Sequence, residues 1–330
     1  MEERTFDALY EQLQKYYQNG DYAQALQLAT QALEIYPEQR TSLDYWRMTM
    51  AARTGDTALT LQVFEQALGR GQWYSELLLR RSPSFQALQR APEFEQLVAL
   101  NQLVAENEQK HVFPIFTLRP ENRCQRGGPG CHLLLGLHSN AGTVKSSLGF
   151  WLPAATAGWL VAAPQSSQAI WKDAYVWDDR ETAEVEIRSH YATLSRNYAI
   201  DPSHTILAGH SLGGEIAIWL ALRGSIEARG FLAIGPGGPY MDNLAEWEPV
   251  MRDYTHRDLA QPDLTPGRLR GYILVGEQDH SIPHNHIKKL VKQLSSAGIQ
   301  CKLESLPEAT HDYTPAYDAA ILRALRYLNT

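Results

Sequence analysis

The chain has 330 residues, 44% of them hydrophobic and 20% charged, with a formal net charge of −7. That length points to about two domains with ample apolar material for buried cores. The acidic balance excludes a broad basic face for nucleic acid, and no apolar run reaches the ~18 residues of a membrane span. The opening residues lack a basic start followed by an apolar stretch, so no secretory leader is read and a cytoplasmic location is expected. The cysteines are Cys124, Cys131 and Cys301. The first two flank a Gly/Pro-rich loop and have the option of pairing, but a low, odd count in a reducing compartment favours free thiols.

In chain order, residues 1–110 read as helical throughout. Leu9, Leu13, Tyr16 and Tyr17 recur at helical spacing, as do Ala25, Leu28, Ala29, Ala32 and Leu33. Asn19-Gly20-Asp21 stops one helix and starts the next, and Pro37 ends the second. The pair Gly20-Asp21 recurs 35 residues later as Gly55-Asp56, and Ala32-Leu33 recurs at Ala67-Leu68. A helix pair at this period resembles the tetratricopeptide repeat. Tyr16, Gly20, Tyr22, Ala25, Ala32 and Pro37 fit the first repeat, and Gly55, Phe64 and Ala67 the second. Leu13 and Met48 stand where that family favours a small residue, and Thr60 where it favours Ala. More helix follows over Trp73 to Asn101, opened at Ser82-Pro83 and Ala91-Pro92. Stacked helix pairs expose a concave surface, so the resemblance implies a protein partner or self-association.

From Val112 the pattern changes to short apolar runs alternating with helical segments. Strands are predicted at Ile115–Leu118, Leu133–His138, Trp159–Ala163, Thr205–Ala208, Phe231–Ile234, Tyr272–Val275 and Lys302–Ser305. Several are continuously apolar, as a strand buried on both faces of a parallel sheet must be. Helices are predicted at Lys145–Ala157, Glu181–Tyr198, Gly213–Leu222, His284–Ser296 and Pro315–Asn329, which gives βαβ units. Arg119–Gly130 reads as a surface connection.

One junction carries chemistry. Thr205–Ala208 runs into Gly209-His210-Ser211-Leu212-Gly213, then Gly214 and a helical run. This is G-x-S-x-G between strand and helix, the context that turns the motif into a nucleophile elbow. A serine on so tight a turn projects its hydroxyl above the sheet. Side chains two residues to either side would collide with neighbouring backbone. The helix start directs its positive end toward a developing oxyanion, with the Leu212 N–H as a donor. A serine needs a base held by a third group. Asp279 follows the Tyr272–Val275 strand and is the candidate acid, with Glu277 as the alternative if the register shifts by two. His311, after the last strand and before the last helix, is the candidate base. Asn140, in the loop after Leu133–His138, is the candidate second oxyanion donor through its main-chain N–H. His138 itself reads as a structural histidine bonding that loop. His280, His284 and His286 form a denser cluster, but without Cys or carboxylate partners at zinc spacing.

Together these pieces make residues 111–330 resemble the α/β-hydrolase superfamily, most closely its phospholipase/carboxylesterase (predicted esterase) group. The features that carry it are Leu137-His138, Ala163-Pro164, Gly209-His210-Ser211-Leu212-Gly213-Gly214, Gly276 with Asp279 and Pro283, and His311. The resemblance implies an α/β fold with a mostly parallel central sheet flanked by helices, preceded by the all-α domain of residues 1–110. It implies Ser211, Asp279 and His311 as a triad, with Leu212 and Asn140 as amide donors. It also implies serine-esterase activity on a small or medium carboxylic ester, with no cofactor and no metal. The related loop usually reads His-Gly where this chain has His138-Ser139, which puts the second donor in question. Trp151, Trp159, Trp171 and Trp177 read either as an acyl pocket or as plain core. A peptidase or thioesterase with the same triad is one alternative reading. The other is a repeat-mediated binding module whose hydrolase domain is inactive.

Overall fold

The computed structural model describes residues 5–108, 115–120, 124–125, 128, 130–260 and 269–330. The chain divides into two compact units. One is Met1–Val112 together with Ala169–Asp173, and the other is Phe113–Gln168 together with Ala174–Thr330.

The first unit is helical. It is built from α1 (Phe6–Asn19), α2 (Tyr22–Ile35), α3 (Arg40–Arg53), α4 (Thr57–Gly69), the short α5 (Glu76–Arg81) and α6 (Pro92–Glu108). Pro37 opens a short 3₁₀ turn after α2, and Ser82-Pro83 opens another, Pro83–Leu88, where a helix was expected. The turn between α1 and α2 and that between α3 and α4 are built alike. Gly20 and Gly55 both take left-handed backbone, φ 81° and 80°. Gly20 N–H donates to Tyr17 O and Asp21 N–H to Tyr16 O. Thirty-five positions on, Gly55 N–H donates to Ala52 O and Asp56 N–H to Ala51 O. A side chain at either glycine would meet no atom, so the residue is dictated by the φ alone. Leu9, Leu13, Ala25, Ala29, Ala32, Leu43 and Met50 form one buried cluster. Phe64, Ala67, Tyr74, Phe85, Phe94 and Val98 anchor a second, against which Trp171 packs. Trp171 lies beside the Tyr45 and Tyr74 rings, and Ser75 N–H donates to Ile170 O at 2.7 Å.

In the second unit a seven-stranded sheet has the order β1-β3-β2-β6-β7-β8-β9. Its strands are β1 (Ile115–Leu118), β2 (Cys131–Leu137), β3 (Leu160–Pro164), β6 (Ile200–His210), β7 (Gly230–Ile234), β8 (Arg270–Gly276) and β9 (Gln300–Leu306). Pairing is parallel except for β1, which runs antiparallel to β3 at one edge. The strands β4 (Gln168–Trp171) and β5 (Ala174–Val176) form a separate two-stranded ribbon that the sequence reading did not anticipate. The helices are α7 (Val144–Thr156), α8 (Arg180–Asn197), α9 (Leu212–Arg223), α10 (Pro239–Asp242), α11 (Trp247–Ala260), α12 (His284–Ser296) and α13 (Ala316–Leu328). Leu134, Ile206, Ala208, Leu232, Ile234, Tyr272 and Leu274 face the layer that contains α7 and α13. Their neighbours of opposite parity, Leu133, Leu135, Leu207, Phe231, Ala233 and Ile273, are buried as well. Burial on both faces is why these strands carry no polar alternation.

Cys124 and Cys131 are joined by a disulfide, their Cα atoms 5.1 Å apart, while Cys301 is free. This corrects the expectation of free thiols there. The Cα separation of the pair lies within the range a disulfide spans. The connection expected at Arg119–Gly130 falls partly outside the described residues. Among the described residues no helix is long and apolar enough to cross a membrane.

Candidate active site

The order of the sheet reverses at the β2–β6 pair: β3 lies on one side of it and β7 on the other. In open α/β sheets the crevice at such a reversal, beyond the carboxyl ends of the strands, is where ligands bind. Leu137, the last residue of β2, pairs with Gly209 of β6. The loop after β2 and the turn after β6 therefore emerge side by side.

That turn holds Ser211 at φ 56° and ψ −122°. A non-glycine residue there stores on the order of 1–3 kcal/mol of backbone strain, which the surroundings must over-determine. They do so through hydrogen bonds. Ser211 N–H donates to Ile234 O at the end of β7, and Ser211 O accepts from the N–H groups of Gly214, Glu215 and Gly237. A Cβ at Gly209 would lie 2.0 Å from Gly213 O, and one at Gly213 would lie 2.4 Å from His138 O. The two glycines let strand, helix and the β2 loop converge. Leu212 opens α9, so its N–H has no partner within the helix.

After β8, Asp279 is buried and His311 half-buried. His311 Nδ1–H donates to Asp279 Oδ2 at 2.7 Å, and Ser281 N–H donates to Asp279 Oδ1 at 2.9 Å. That bond fixes the imidazole tautomer, leaving Nε2 as the proton-accepting nitrogen. Glu277 is exposed and lines a recess with His284, Ile287 and Lys288 rather than facing His311. His284 Nε2–H donates to Asp279 O, and His286 Nδ1–H donates to Met241 O, both at 2.7 Å. These histidines tie the Asp279 loop and α10 to α12.

The β2 loop is short and closed. Gly142 N–H donates to Ser139 O at 3.1 Å, with Ala141 in left-handed backbone at φ 51°. Asn140 is exposed at this turn, and Ser139 Oγ lies against Gly142. Thr143 and Ser146 then form a reciprocal cap that starts α7. His138 is fully buried beneath the loop. Its Nδ1–H donates to Ser139 O, and its Nε2 accepts from Ser166 N–H and the Gln165 side-chain amide. Burial pushes this imidazole down to about 4, so it stays neutral and structural. Gln165 Oε1 also accepts from Val144 N–H, and Trp177 Nε1–H donates to His138 O.

Trp151, Trp159 and Trp177 are buried in the second unit. Two further features escaped the sequence reading. His210 Nε2–H donates to the carbonyl of His311 at 2.7 Å, and burial pushes the His210 imidazole down to about 3, with the neighbouring His311 adding to the shift. Glu215, one turn beyond Ser211, is fully buried and paired with Arg180 at the start of α8. Both are contacts over long sequence separation, which local periodicity does not carry.

Residues 161–324 match the model of the dienelactone hydrolase family. No curated protein sequence matches the chain. Among solved structures, an uncharacterized protein from Bacillus cereus ATCC 10987 is similar over 98% of this chain and 99% of that one, at 21% identity and a TM-score of 0.51. Esterase PE8 is similar over 66% of this chain and all of that one, at 15% identity and a TM-score of 0.51. At these identities the likeness is one of fold.

Proposed function

Taking as premise that residues 161–324 carry a hydrolase domain of the dienelactone hydrolase family, within the α/β-hydrolase superfamily, we propose that the chain is a serine esterase. The observation that carries this reading is Ser211 on a strained elbow at the sheet's reversal point, in a domain where Asp279 already holds His311 by its Nδ1. In this reading Ser211 Oγ attacks an ester carbonyl while its proton passes to His311 Nε2. The electron pair moves to the carbonyl oxygen, and the N–H groups of Leu212 and Asn140 stabilise that oxyanion. Collapse expels the alcohol, which takes the proton from His311. Water, deprotonated by His311, then releases the acid and restores Ser211. Asp279 stabilises the imidazolium at each stage. The chemistry asks for no cofactor and no metal.

The test is hydrolysis of p-nitrophenyl esters over a range of acyl lengths, with labelling by a fluorophosphonate. Wild type is expected to turn over and to be labelled. Ser211→Ala is expected to lose both, with a rate loss on the order of 10⁴-fold or more. An unlabelled, inert wild type sinks the reading, as does a Ser211→Ala variant with undiminished rate. For residues 1–110 the reading is a domain of two degenerate tetratricopeptide-like repeats, supported by the two turns capped alike 35 residues apart. Its proposed role is binding a protein partner or a second copy.

A further inference from the structure

Three consecutive carbonyls of the loop bearing His311 are each captured by a donor from a different element. Ala309 O accepts from Gln278 N–H at 3.1 Å, after β8. Thr310 O accepts from the Tyr317 hydroxyl of α13 at 2.7 Å. His311 O accepts from His210 Nε2 at 2.7 Å, at the end of β6. The first two anchor the loop to the body of the domain. The third is different in kind, because His210 is covalently next to Ser211 and its acceptor is the peptide carbonyl of His311 itself. One hydrogen bond therefore connects the backbone that carries the serine to the backbone that carries the imidazole.

The chemistry of that bond is one-sided. A carbonyl only accepts, so His210 must present Nε2–H. Its ring is nearly inaccessible, packed 4.5 Å from the Phe150 ring and 4.8 Å from the His311 ring. Burial keeps this ring neutral, as a place beside an imidazole that becomes positive during the proposed turnover requires. A second cation there would oppose that charge.

We propose that His210 is a positioning residue that sets the separation between Ser211 and His311, an inference that rests on the serine-hydrolase reading above. The long bond to residue 311 supplies a reason for a histidine at this position of the elbow. A displacement of the base by an ångström is worth about 10²-fold in rate, and it acts on turnover rather than on substrate affinity.

Two variants test this with p-nitrophenyl butyrate. His210→Phe keeps the ring volume and loses the donor. His210→Gln restores an amide N–H near the place of Nε2. Melting temperature is recorded for each. We expect His210→Phe to lower kcat by about 10²-fold at unchanged KM and His210→Gln to recover most of it. Wild-type kcat in His210→Phe overturns the proposal. So does equal impairment of the Gln and Phe variants, which would make the ring's shape the only requirement. Ser211→Ala in the same assay separates the two levels. Activity retained there overturns the underlying reading and this one with it, whereas activity lost there with full kcat in His210→Phe overturns this one alone.

Discussion

At the scale of single residues, the site is organised by groups whose backbone or protonation state is imposed on them. Ser211 is held at positive φ by partners on β7, α9 and the following loop. His138 is held neutral by burial, and that has a consequence for stability. Its ordinary imidazole value is about 6.5 in the unfolded chain, and folding pushes it down to about 4. The unfolded state therefore binds the proton first. The contribution is fully present above about pH 6.5 and is lost as pH falls toward 4, by about 2 kcal/mol at pH 5. We expect His138→Gln, which cannot titrate, to start less stable at pH 7 but to lose about 2 kcal/mol less than wild type between pH 7 and pH 5. Urea denaturation at the two pH values reads this directly, and parallel losses in the two proteins would refute it. The places of Ser211, Asp279 and His311 just beyond strand ends were legible in the sequence, because motif order and apolar runs mark those ends. The partners of His138 were not, because Gln165, Ser166 and Trp177 reach it only through the packing of β2 against β3 and the segment after β5.

At the scale of elements, the strands were legible for a physical reason. A strand buried on both faces has no room for a polar residue, so β2, β3, β7 and β8 each appear as an apolar run. The β4–β5 ribbon has short strands of mixed burial, and its residues carry no such signature. Equally illegible was the pair that joins α8, α9 and α10. Glu215 on α9 has no exposed surface, and Arg180 is its counter-ion. Met241 N–H donates to Glu215 Oε2 at 2.9 Å, and the Arg180 guanidinium lies 3.7 Å over the Tyr240 ring. Burial pushes the Glu215 carboxyl up, and Arg180 opposes that shift. Removing one member of a buried pair leaves an uncompensated charge, at a cost of about 3–5 kcal/mol. Arg180→Met is expected to lose that much in urea denaturation, and Arg180→Met with Glu215→Leu to recover a substantial part. The pH dependence has a definite sign. With Arg180 gone the folded-state value of Glu215 rises further above its unfolded value. The single variant should therefore gain stability on acidification and lose it again as pH rises through that value. A single variant as stable as wild type would mean the pair contributes nothing to joining these helices.

At the scale of the whole chain, the change of periodicity near residue 110 was visible, but the later return was not. The chain passes from the first unit to the second after Val112, comes back for Ala169–Asp173, and leaves again. Trp171 in that returning segment packs with Tyr45 and Tyr74, residues about a hundred positions away, and nothing local marks a tryptophan as belonging to a distant helical cluster. The return decides how a truncation behaves. A fragment beginning at Phe113 keeps every residue of the candidate site, yet it also keeps Ile170 and Trp171 without the Ser75 N–H and the rings that cover them. An aromatic ring left in water forfeits roughly 1.5–3 kcal/mol of burial. The fragment is expected to hydrolyse p-nitrophenyl esters, but to melt lower than the second unit does within the full chain and to bind an apolar dye. Replacing Ile170 and Trp171 in the fragment by Ser and Asn should abolish the dye binding while leaving hydrolysis intact. If the full chain turns over while the fragment folds cooperatively but is inert in both forms, the residues of the second unit do not suffice for the activity.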